Sequence, residues 1–411
     1  MIGRVSGTYA FRSLFRHPRR SILSMVGVGI GCAMGLLATS WTGGAGEMQI
    51  RAASESGAGH IRVVPAGWMR TRENSLRLVA WEQTLEEVRS VPGVEAVAMR
   101  SRASGLLAFG NRTVGVEITG VEPDAEMRSN RIVRLGSLRG RYLSAGDRGK
   151  VVIGRQIATR LDVDVDDDLY VTLAGRDEIR SAMLTIVGII ETGSRDVDAS
   201  ICHVNLGDVE ELTGYKGPAE ISILLEHHGL IAAAQKELAR KLGGRNEVIT
   251  WEDVNPALAA NVRGDRAFMD VLVFIVVVVV GLGVAGAQLT AVLERRREFA
   301  VLSALGMKGG QVVGLVMLEA LLIGLGGAAV SLLLGGPIAY WLATRGVSIA
   351  HMMGDEYSIA DVLLDPIIYG TFGIWLVWYA LGVSVTATVA ASIYPAWLAT
   401  RAQPADAMRM V

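Results

Sequence analysis

The sequence has little charge and little cysteine, and each shortage excludes a class of protein. Only 20% of its 411 residues are charged, against about 25% in soluble domains. The charges nearly cancel, with 40 basic and 41 acidic residues, so we expect no basic patch of the kind that binds nucleic acid. The two cysteines, Cys32 and Cys202, lie in an apolar and a polar segment respectively. We therefore expect neither a disulfide nor a cysteine metal site.

Charged residues are missing altogether from four long stretches. These lie between Arg20 and Glu47, between Asp270 and Glu294, between Glu319 and Arg345, and between Asp365 and Arg401. Each exceeds the ~20 apolar residues that a helix needs to cross a bilayer core. Buried helices of soluble domains rarely run so far without charge. The pattern predicts four transmembrane helices, over residues 21–43, 268–293, 311–344 and 366–394.

The first apolar stretch follows a basic N-terminal region, which is also typical of a cleaved secretory signal. Its apolar part, residues 22–41, is longer than the ~7–15 residues of a signal core. We therefore predict an uncleaved first helix. Residues 1–20 are predicted to form a cytoplasmic amphipathic segment at the membrane surface.

Basic residues orient the four helices. They are concentrated in three flanking segments: residues 1–20, the connection 294–308 and the tail 395–411. Arginine and lysine favour the cytoplasmic side of a membrane, and with four spans all three segments fall on that side. Residues 44–265 and the shorter loop 345–365 are then extracytoplasmic.

The long extracytoplasmic segment alternates strand and helix signals. Residues 94–99 and 114–120 are typical of strands, and residues 230–242 of an amphipathic helix. This alternation predicts an α+β domain. We expect a β-rich subdomain, over about 122–217, inserted in an α/β layer built from both flanks.

No segment carries a complete catalytic or ligand-binding motif. The nearest approach to a phosphate-binding loop, at Gly149–Lys150, has Ser144 in place of the first glycine and Val151 in place of Ser or Thr. The acidic run at residues 162–168 lacks the turn glycine and the bidentate glutamate of a calcium loop, so we interpret it as a solvated turn. We predict no catalytic, cofactor-binding or metal-ligating residue.

Two features inside the predicted helices have alternative interpretations. Gly27, Gly31 and Gly35 form a small-xxx-small pattern that permits close helix packing, although glycine is also simply common in membrane helices. Glu319 is an acid well inside an apolar stretch. It either bonds a neighbouring helix or an interfacial arginine, or has a substrate or proton role.

The connection after the second predicted helix has a distinctive sequence. Glu294 to Lys308 reads ERRREFAVLSALGMK, and Leu318-Glu319-Ala320 follows it. This segment resembles the FtsX/MacB-like permeases of ABC transporters, which include lipoprotein-release permeases. Residues 10–24 and 394–409 resemble the start and end of that family, and residues 152–161 and 171–189 its periplasmic core. The resemblance covers essentially the whole chain.

The resemblance implies that residues 294–308 form a coupling helix. In the family, this helix docks on a separate ATPase subunit. Phe299, Leu302 and Leu305 fall on one side of the helix and are expected to fill an apolar groove of that partner, while Gly306 ends the helix. The full set of expected coupling residues is Arg295, Arg296, Arg297, Glu298, Phe299, Leu302, Leu305 and Gly306. The alternative is a basic loop that merely anchors two spans.

The resemblance also implies fold, partners and activity. The fold is an α-helical membrane protein with four transmembrane helices and an α+β extracytoplasmic domain of MacB periplasmic-core type between helices 1 and 2. An ABC ATPase subunit dimer is expected to bind ATP and Mg and to hydrolyse ATP, so no cofactor is expected in this chain. A second permease copy or a paralogous permease, and membrane lipids, complete the expected assembly.

The expected activity is mechanotransmission in the bacterial inner membrane, with the large domain in the periplasm. The substrate would be a lipoprotein or another amphipathic molecule taken from the outer face of that membrane. Alternatives are the efflux permease of a tripartite system and an FtsX-like regulator of an extracytoplasmic hydrolase. The hairpin between Leu173 and Met183 is short for one that hooks a soluble carrier, so contact with a periplasmic carrier or adaptor stays open.

Overall fold

The computed structural model describes residues 18–71, 73, 75–304, 306–348, 358–359, 362–363, 365 and 367–400. Its helices are α1 (Pro18–Glu55), α2 (Trp68–Thr71), α3 (Trp81–Arg89), α4 (Pro123–Ser129), α5 (Arg131–Leu135), α6 (Arg155–Leu161), α7 (Arg195–Ser200), α8 (Leu206–Thr213), α9 (Ile231–Leu242), α10 (Trp251–Val254), α11 (Pro256–Glu294), α12 (Arg296–Ala304), α13 (Gly309–Arg345) and α14 (Trp375–Ala399).

The strands are β1 (Ile61–Pro65), β2 (Val94–Phe109), β3 (Arg112–Val121), β4 (Ser137–Gly140), β5 (Lys150–Gly154), β6 (Asp168–Ala174), β7 (Ile179–Glu191), β8 (Cys202–Asn205), β9 (Glu220–Leu225), β10 (Asn246–Thr250), β11 (Val347–Ser348), β12 (Ser358–Ile359), β13 (Val362–Leu363) and β14 (Ile367–Ile368). The chain divides into a helical unit, residues 1–45, 264–347 and 368–411, and a β-sheet unit, residues 46–263 and 348–367.

Four helices of the described ranges are long and apolar enough to cross a membrane, judged by length and composition: α1, α11, α13 and α14. Their bounds differ from the sequence expectation. Helix α1 continues to Glu55 and α11 already begins at Pro256, so both helices include charged residues such as Arg51 and Arg263 beyond their apolar parts. The charge-free stretches predicted only the apolar parts of longer helices.

The last long helix begins later than expected, at Trp375 instead of residue 366. Ile367 and Ile368 form strand β14, and the chain turns at Gly373, whose carbonyl accepts the N–H of Leu376 at 3.1 Å. Two glycines, Gly370 and Gly373, precede the helix. Glycine is a poor helix former, which accounts for the later start.

The β-sheet unit contains a four-stranded antiparallel layer in the order β10-β1-β9-β2. Helices α3 and α9 cover one face, and their buried Val88 and Leu238 share a core with Ile61, Val63 and Ile223 of the strands. Two β-α-β units thus interleave in the ferredoxin-like arrangement. Both flanks of the unit contribute, since β1 and β10 lie nearly 200 residues apart and pair along their whole length.

A second part of the sheet closes on itself. Strands β2, β3, β8, β5, β7 and β6 pair in that order, and β6 pairs back to β2. Its interior is apolar and includes Leu107, Ile118, Ile153, Leu169 and Ile186.

The β-rich part therefore begins within β2, and its expected start at about residue 122 is too late. Strand β2 is 16 residues long, and it pairs with β9 in the four-stranded layer and with β6 in the closed part. An unbroken strand has no turn signal at the point where it passes from one part to the other, so the sequence pattern could not locate the boundary.

Candidate functional site

The connection between α11 and α13 contains the short helix α12, which includes most of the residues expected to couple. Gly306 follows the helix in a left-handed conformation, with φ of +95°. The N–H of Met307 donates to the carbonyl of Leu302 at 3.0 Å. This six-residue loop and its glycine are typical of a Schellman ending, which terminates the helix and turns the chain toward α13.

The two faces of α12 have opposite environments. Phe299 is only 2% exposed and packs in an apolar cluster with side chains of α11, α13 and α14. These partners are Val292, Val312, Leu315, Val316, Ala396 and Ala399. Leu302 is half-buried against the same cluster. On the other face Val301 is 60% exposed, and Arg296, Arg297 and Glu298 are also exposed.

The expectation that Phe299 fills a groove of a partner is therefore wrong, whereas for the half-buried Leu302 it stays a prediction. Both side chains pack within this chain, on the third and fourth long helices. Apolar periodicity identifies a buried face, but it cannot tell whether the same chain or another one buries it. Leu305, the third residue of that expectation, lies outside the described residues.

Arg295 connects α12 to the third long helix. Its Nη1 lies 3.1 Å from Oε2 of Glu319, and its Nε lies 3.2 Å from Oε2 of Glu298. Its guanidinium carbon lies 5.3 Å from the centroid of the Phe299 ring. Glu319 is buried, so this arginine supplies the charge that compensates it. Of the two interpretations of Glu319, the geometry favours the bond to an interfacial arginine.

A further ion pair lies at the start of the helical unit. Nη1 of Arg20, on α1, lies 3.0 Å from Oε2 of Glu294 at the end of α11. Both side chains are partly exposed, so the pair contributes little stability. It nevertheless places the basic start of α1 beside the segment that leads into α12.

The three glycines of α1 that were expected to permit close helix packing differ in their surroundings. A Cβ atom at Gly31 would overlap Val280 of α11, and one at Gly35 would lie 3.0 Å from the hydroxyl oxygen of Tyr379. At Gly27 a Cβ would meet no described atom within 4 Å, so within this chain Gly27 makes no close contact, and packing there against a second permease stays a prediction. Gly29, which the pattern omitted, faces α13 closely, because a Cβ there would overlap Val330.

The β-sheet unit holds a polar cavity of about 590 Å³. Arg62, Arg100, Arg102, Glu117 and Glu126 contribute charged side chains to its wall. The sequence did not reveal these residues as a group, because alternating charges on a strand are usually solvated. Here most of them are buried and paired.

Two ion pairs beside the cavity are almost fully buried. Arg62 Nη1 lies 2.9 Å from Glu220 Oε2, and Arg100 Nη2 lies 2.8 Å from Glu126 Oε2. Burial alone would raise the pKa of Glu220, but Arg102 and Arg62 outweigh it and lower that pKa to about 2. Burial would also raise the pKa of Glu126, but Arg100 outweighs it and lowers that pKa, so both glutamates are ionised at neutral pH.

A buried histidine next to these pairs is neutral. Burial lowers the pKa of His203 to about 4, against an opposing effect of Glu126. Its Nδ1 shares a hydrogen bond of 2.9 Å with the hydroxyl of Tyr142. Among the residues that the structure describes, no group of three His, Cys, Asp or Glu side chains is arranged to hold a metal ion.

Two family models match the chain. One is described as the MacB-like periplasmic core domain and matches residues 21–241. The other is described as the FtsX-like permease C-terminal domain and matches residues 271–404, which include all of α12. Together they span most of both structural units.

Curated relatives are similar over most of the chain. The lipoprotein-releasing system transmembrane protein LolC of Xylella fastidiosa is 25% identical over 345 residues, which are 80% of this chain and 81% of that protein. The macrolide export ATP-binding/permease protein MacB of Campylobacter jejuni is 24% identical over 377 residues, which are 88% of this chain and 57% of that protein.

Solved structures match only in part. The extracellular domain of the noncanonic ABC-type transporter YknZ from Gram-positive bacteria has 16% identity and a TM-score of 0.34, covering 46% of this chain and 98% of that one. The periplasmic region of MacB from Actinobacillus actinomycetemcomitans has 12% identity and a TM-score of 0.34, covering 49% of this chain and 94% of that one.

Proposed function

The chain belongs to the FtsX/MacB-like family of ABC transporter permeases, and from this premise we propose that it is a permease subunit driven through α12 by a separate ATPase. The ATPase subunit dimer binds ATP and Mg, and this chain passes the resulting movement to its β-sheet unit. The chain itself has no catalytic role in ATP hydrolysis, in keeping with its incomplete phosphate-binding motif at Gly149–Lys150.

The two-faced packing of α12 carries this proposal. Its inner face is held on α13 and α14 by Phe299 and by the Arg295–Glu319 pair. Its outer face presents Val301 within a rim of charged side chains, a composition typical of the centre and edge of a protein interface. A push on the outer face would reach α13 and α14 through the buried Phe299 and the Arg295–Glu319 pair.

We propose a lipoprotein or another amphipathic molecule as the substrate, taken from the outer face of the bacterial inner membrane. The similarity to the lipoprotein-releasing protein supports this choice, because it extends over 81% of that relative. Efflux in a tripartite system is the second candidate. The similarity to the macrolide export protein supports it, although the chain spans only 57% of that relative's length.

The proposed assembly contains more than one permease. A second copy of this chain, or a paralogous permease, pairs with it in the inner membrane, and the β-sheet unit lies in the periplasm. The long helices expose many apolar side chains, among them Phe274, Leu282 and Leu333, which membrane lipids or the second permease would cover. A periplasmic carrier or adaptor would receive the substrate.

Release of a lipid-modified peptide tests this function. The chain, its partner ATPase and a fluorescent triacylated lipopeptide are reconstituted in liposomes, with a soluble lipid acceptor outside. We expect ATP-dependent transfer of the lipopeptide to the acceptor, and none when Val301→Asp replaces the wild-type chain. Transfer that proceeds equally without ATP, or ATP-dependent export of a macrolide with no lipopeptide transfer, would contradict the proposed substrate.

A further inference from the structure

The connection between α1 and strand β1 is a tight turn. Helix α1 ends at Glu55 and strand β1 begins at Ile61. Gly57 and Gly59 between them have φ of +99° and +73°. A Cβ at Gly59 would lie 2.8 Å from the backbone nitrogen of Ile223, so the turn is pressed against β9 and only glycine fits there.

Buried polar side chains hold this turn. Nη1 of Arg100 donates a hydrogen bond to the carbonyl of Gly57, and the hydroxyl of Ser222 donates to the same carbonyl at 3.2 Å. Ser56 forms an isolated bridge with Asn130. The turn is therefore bonded to three elements, β2, β9 and the segment after α4.

A rigid ion pair orients the arginine. Glu126 accepts hydrogen bonds from Nε and Nη2 of Arg100 at 2.8 and 3.0 Å, and from Nδ2 of Asn130 at 2.7 Å. The side chains of Arg100 and Glu126 are 3% and 1% exposed. A two-pronged arginine–carboxylate contact fixes both distance and angle, so it directs the third nitrogen of Arg100 at the turn.

The opposite side of the turn lacks tight packing. Residues 56–58 line the polar cavity of about 590 Å³ and are held by the polar bonds described above, whereas the preceding Ala52 and Ala53 pack in an apolar cluster with Trp251. A buried ion pair contributes little net stability compared with apolar side chains of the same volume. The value of this pair therefore lies in the geometry that it imposes.

We propose that Arg100 and Glu126 are positioning residues that lock the turn after α1 to strands β2 and β9. With the lock in place, a movement of α1 carries these strands with it. Without the lock, the glycine turn absorbs the movement. This inference rests on the proposed function, which supplies the movement of α1.

Hydrogen–deuterium exchange on the full-length protein tests the lock. Glu126→Gln removes the charge that orients Arg100, and we expect the amides of residues 56–60 to exchange roughly 100-fold faster. Glu117→Gln is the matched control, because Glu117 of β3 pairs with Arg102, which lies on β2 as Arg100 does, and both side chains of this pair are partly exposed. Equal exchange in both variants would overturn the lock.

A distance measurement then tests the transmission. Spin labels are placed at Leu23→Cys and Asn111→Cys, both exposed, while the native Cys32 and Cys202 are buried. In the complex with the ATPase, we expect ATP to shift this distance in the wild-type background and in Glu117→Gln. In Glu126→Gln the shift should be lost while ATP hydrolysis continues.

The outcomes separate the two proposals. A wild-type shift that persists in Glu126→Gln overturns the positioning role, whereas a wild-type protein without a shift contradicts the proposed function itself. If Glu126→Gln does not fold, Arg100→Lys keeps a buried cation beside Glu126 but removes the two-pronged contact and the bond from Nη1 to the carbonyl of Gly57. It should raise the exchange of residues 56–60 by a smaller factor, and unchanged exchange would again overturn the lock.

Discussion

Replacing Phe299 by alanine should destabilise the helical unit, whereas the same change at Val301 should not. The two residues lie on one short helix, but Phe299 is 2% exposed and Val301 is 60% exposed. Truncation of a buried phenylalanine typically costs about 3–5 kcal/mol. The lost contact with the guanidinium of Arg295 adds about 0.5–1 kcal/mol. Substitutions at exposed positions usually stay within about 0.5 kcal/mol.

Thermal unfolding of the purified protein in detergent micelles measures this difference. The midpoint for Phe299→Ala should fall by at least about 5 °C relative to the wild type, and that for Val301→Ala should stay within about 2 °C. The comparison has an internal control, since both variants lose an apolar side chain from the same helix. Equal midpoints for the two variants would refute the inward packing of Phe299.

Two further predictions concern the other unusual positions. Gly31→Ala should destabilise the helical unit by about 1–3 kcal/mol, because the added Cβ overlaps Val280. Gly27→Ala should be neutral or slightly stabilising, since no described atom lies within 4 Å of its Cβ. Equal thermal midpoints for the two variants would contradict the close packing of Gly31. His203 and His60, both buried, should each cost the β-sheet unit roughly 2–4 kcal/mol of unfolding free energy as the pH falls from 6.5 to 4, because burial lowers the pKa of each to about 4. In the folded state both pKa values lie below the ordinary 6.5, so unfolding takes up protons in this range. Urea titrations of the wild type and His203→Asn at pH 7 and 4.5 check this, and an equally steep loss in the variant would exclude His203 as one of its sources.

The long helices could be predicted because a helix that crosses a bilayer needs a long stretch of apolar residues without charge. A stretch free of charge from Asp270 to Glu294 has few explanations other than a membrane helix. The absence of charge does not define where the same helices begin and end. Arg263 and Asp265 are compatible with a helix in water as well as with a loop, and helix α11 passes through them. Only the packed structure distinguishes the two.

The coupling segment was predictable as a helix but not in its orientation. Phe299 and Leu302 share a face by spacing, and that spacing holds whether the face meets α13 or another protein. The Arg100–Glu126 pair could not be predicted from the sequence, for a different reason. Its residues are 26 positions apart, and a charge on a strand next to Ser101 is typical of a solvated face. Burial by β9 and α4 depends on strand order, which a single sequence does not specify.

Co-purification with the partner ATPase tests the central claim most directly. The full-length chain carries Val301→Asp, which places a charge in the centre of the exposed face of α12, and Ile179→Asp serves as the control, with an equal change at an exposed site of the β-sheet unit. We predict that Val301→Asp loses the ATPase while Ile179→Asp retains it, with both proteins folded. An ATPase that stays bound to Val301→Asp would contradict the assignment of α12 as the coupling site.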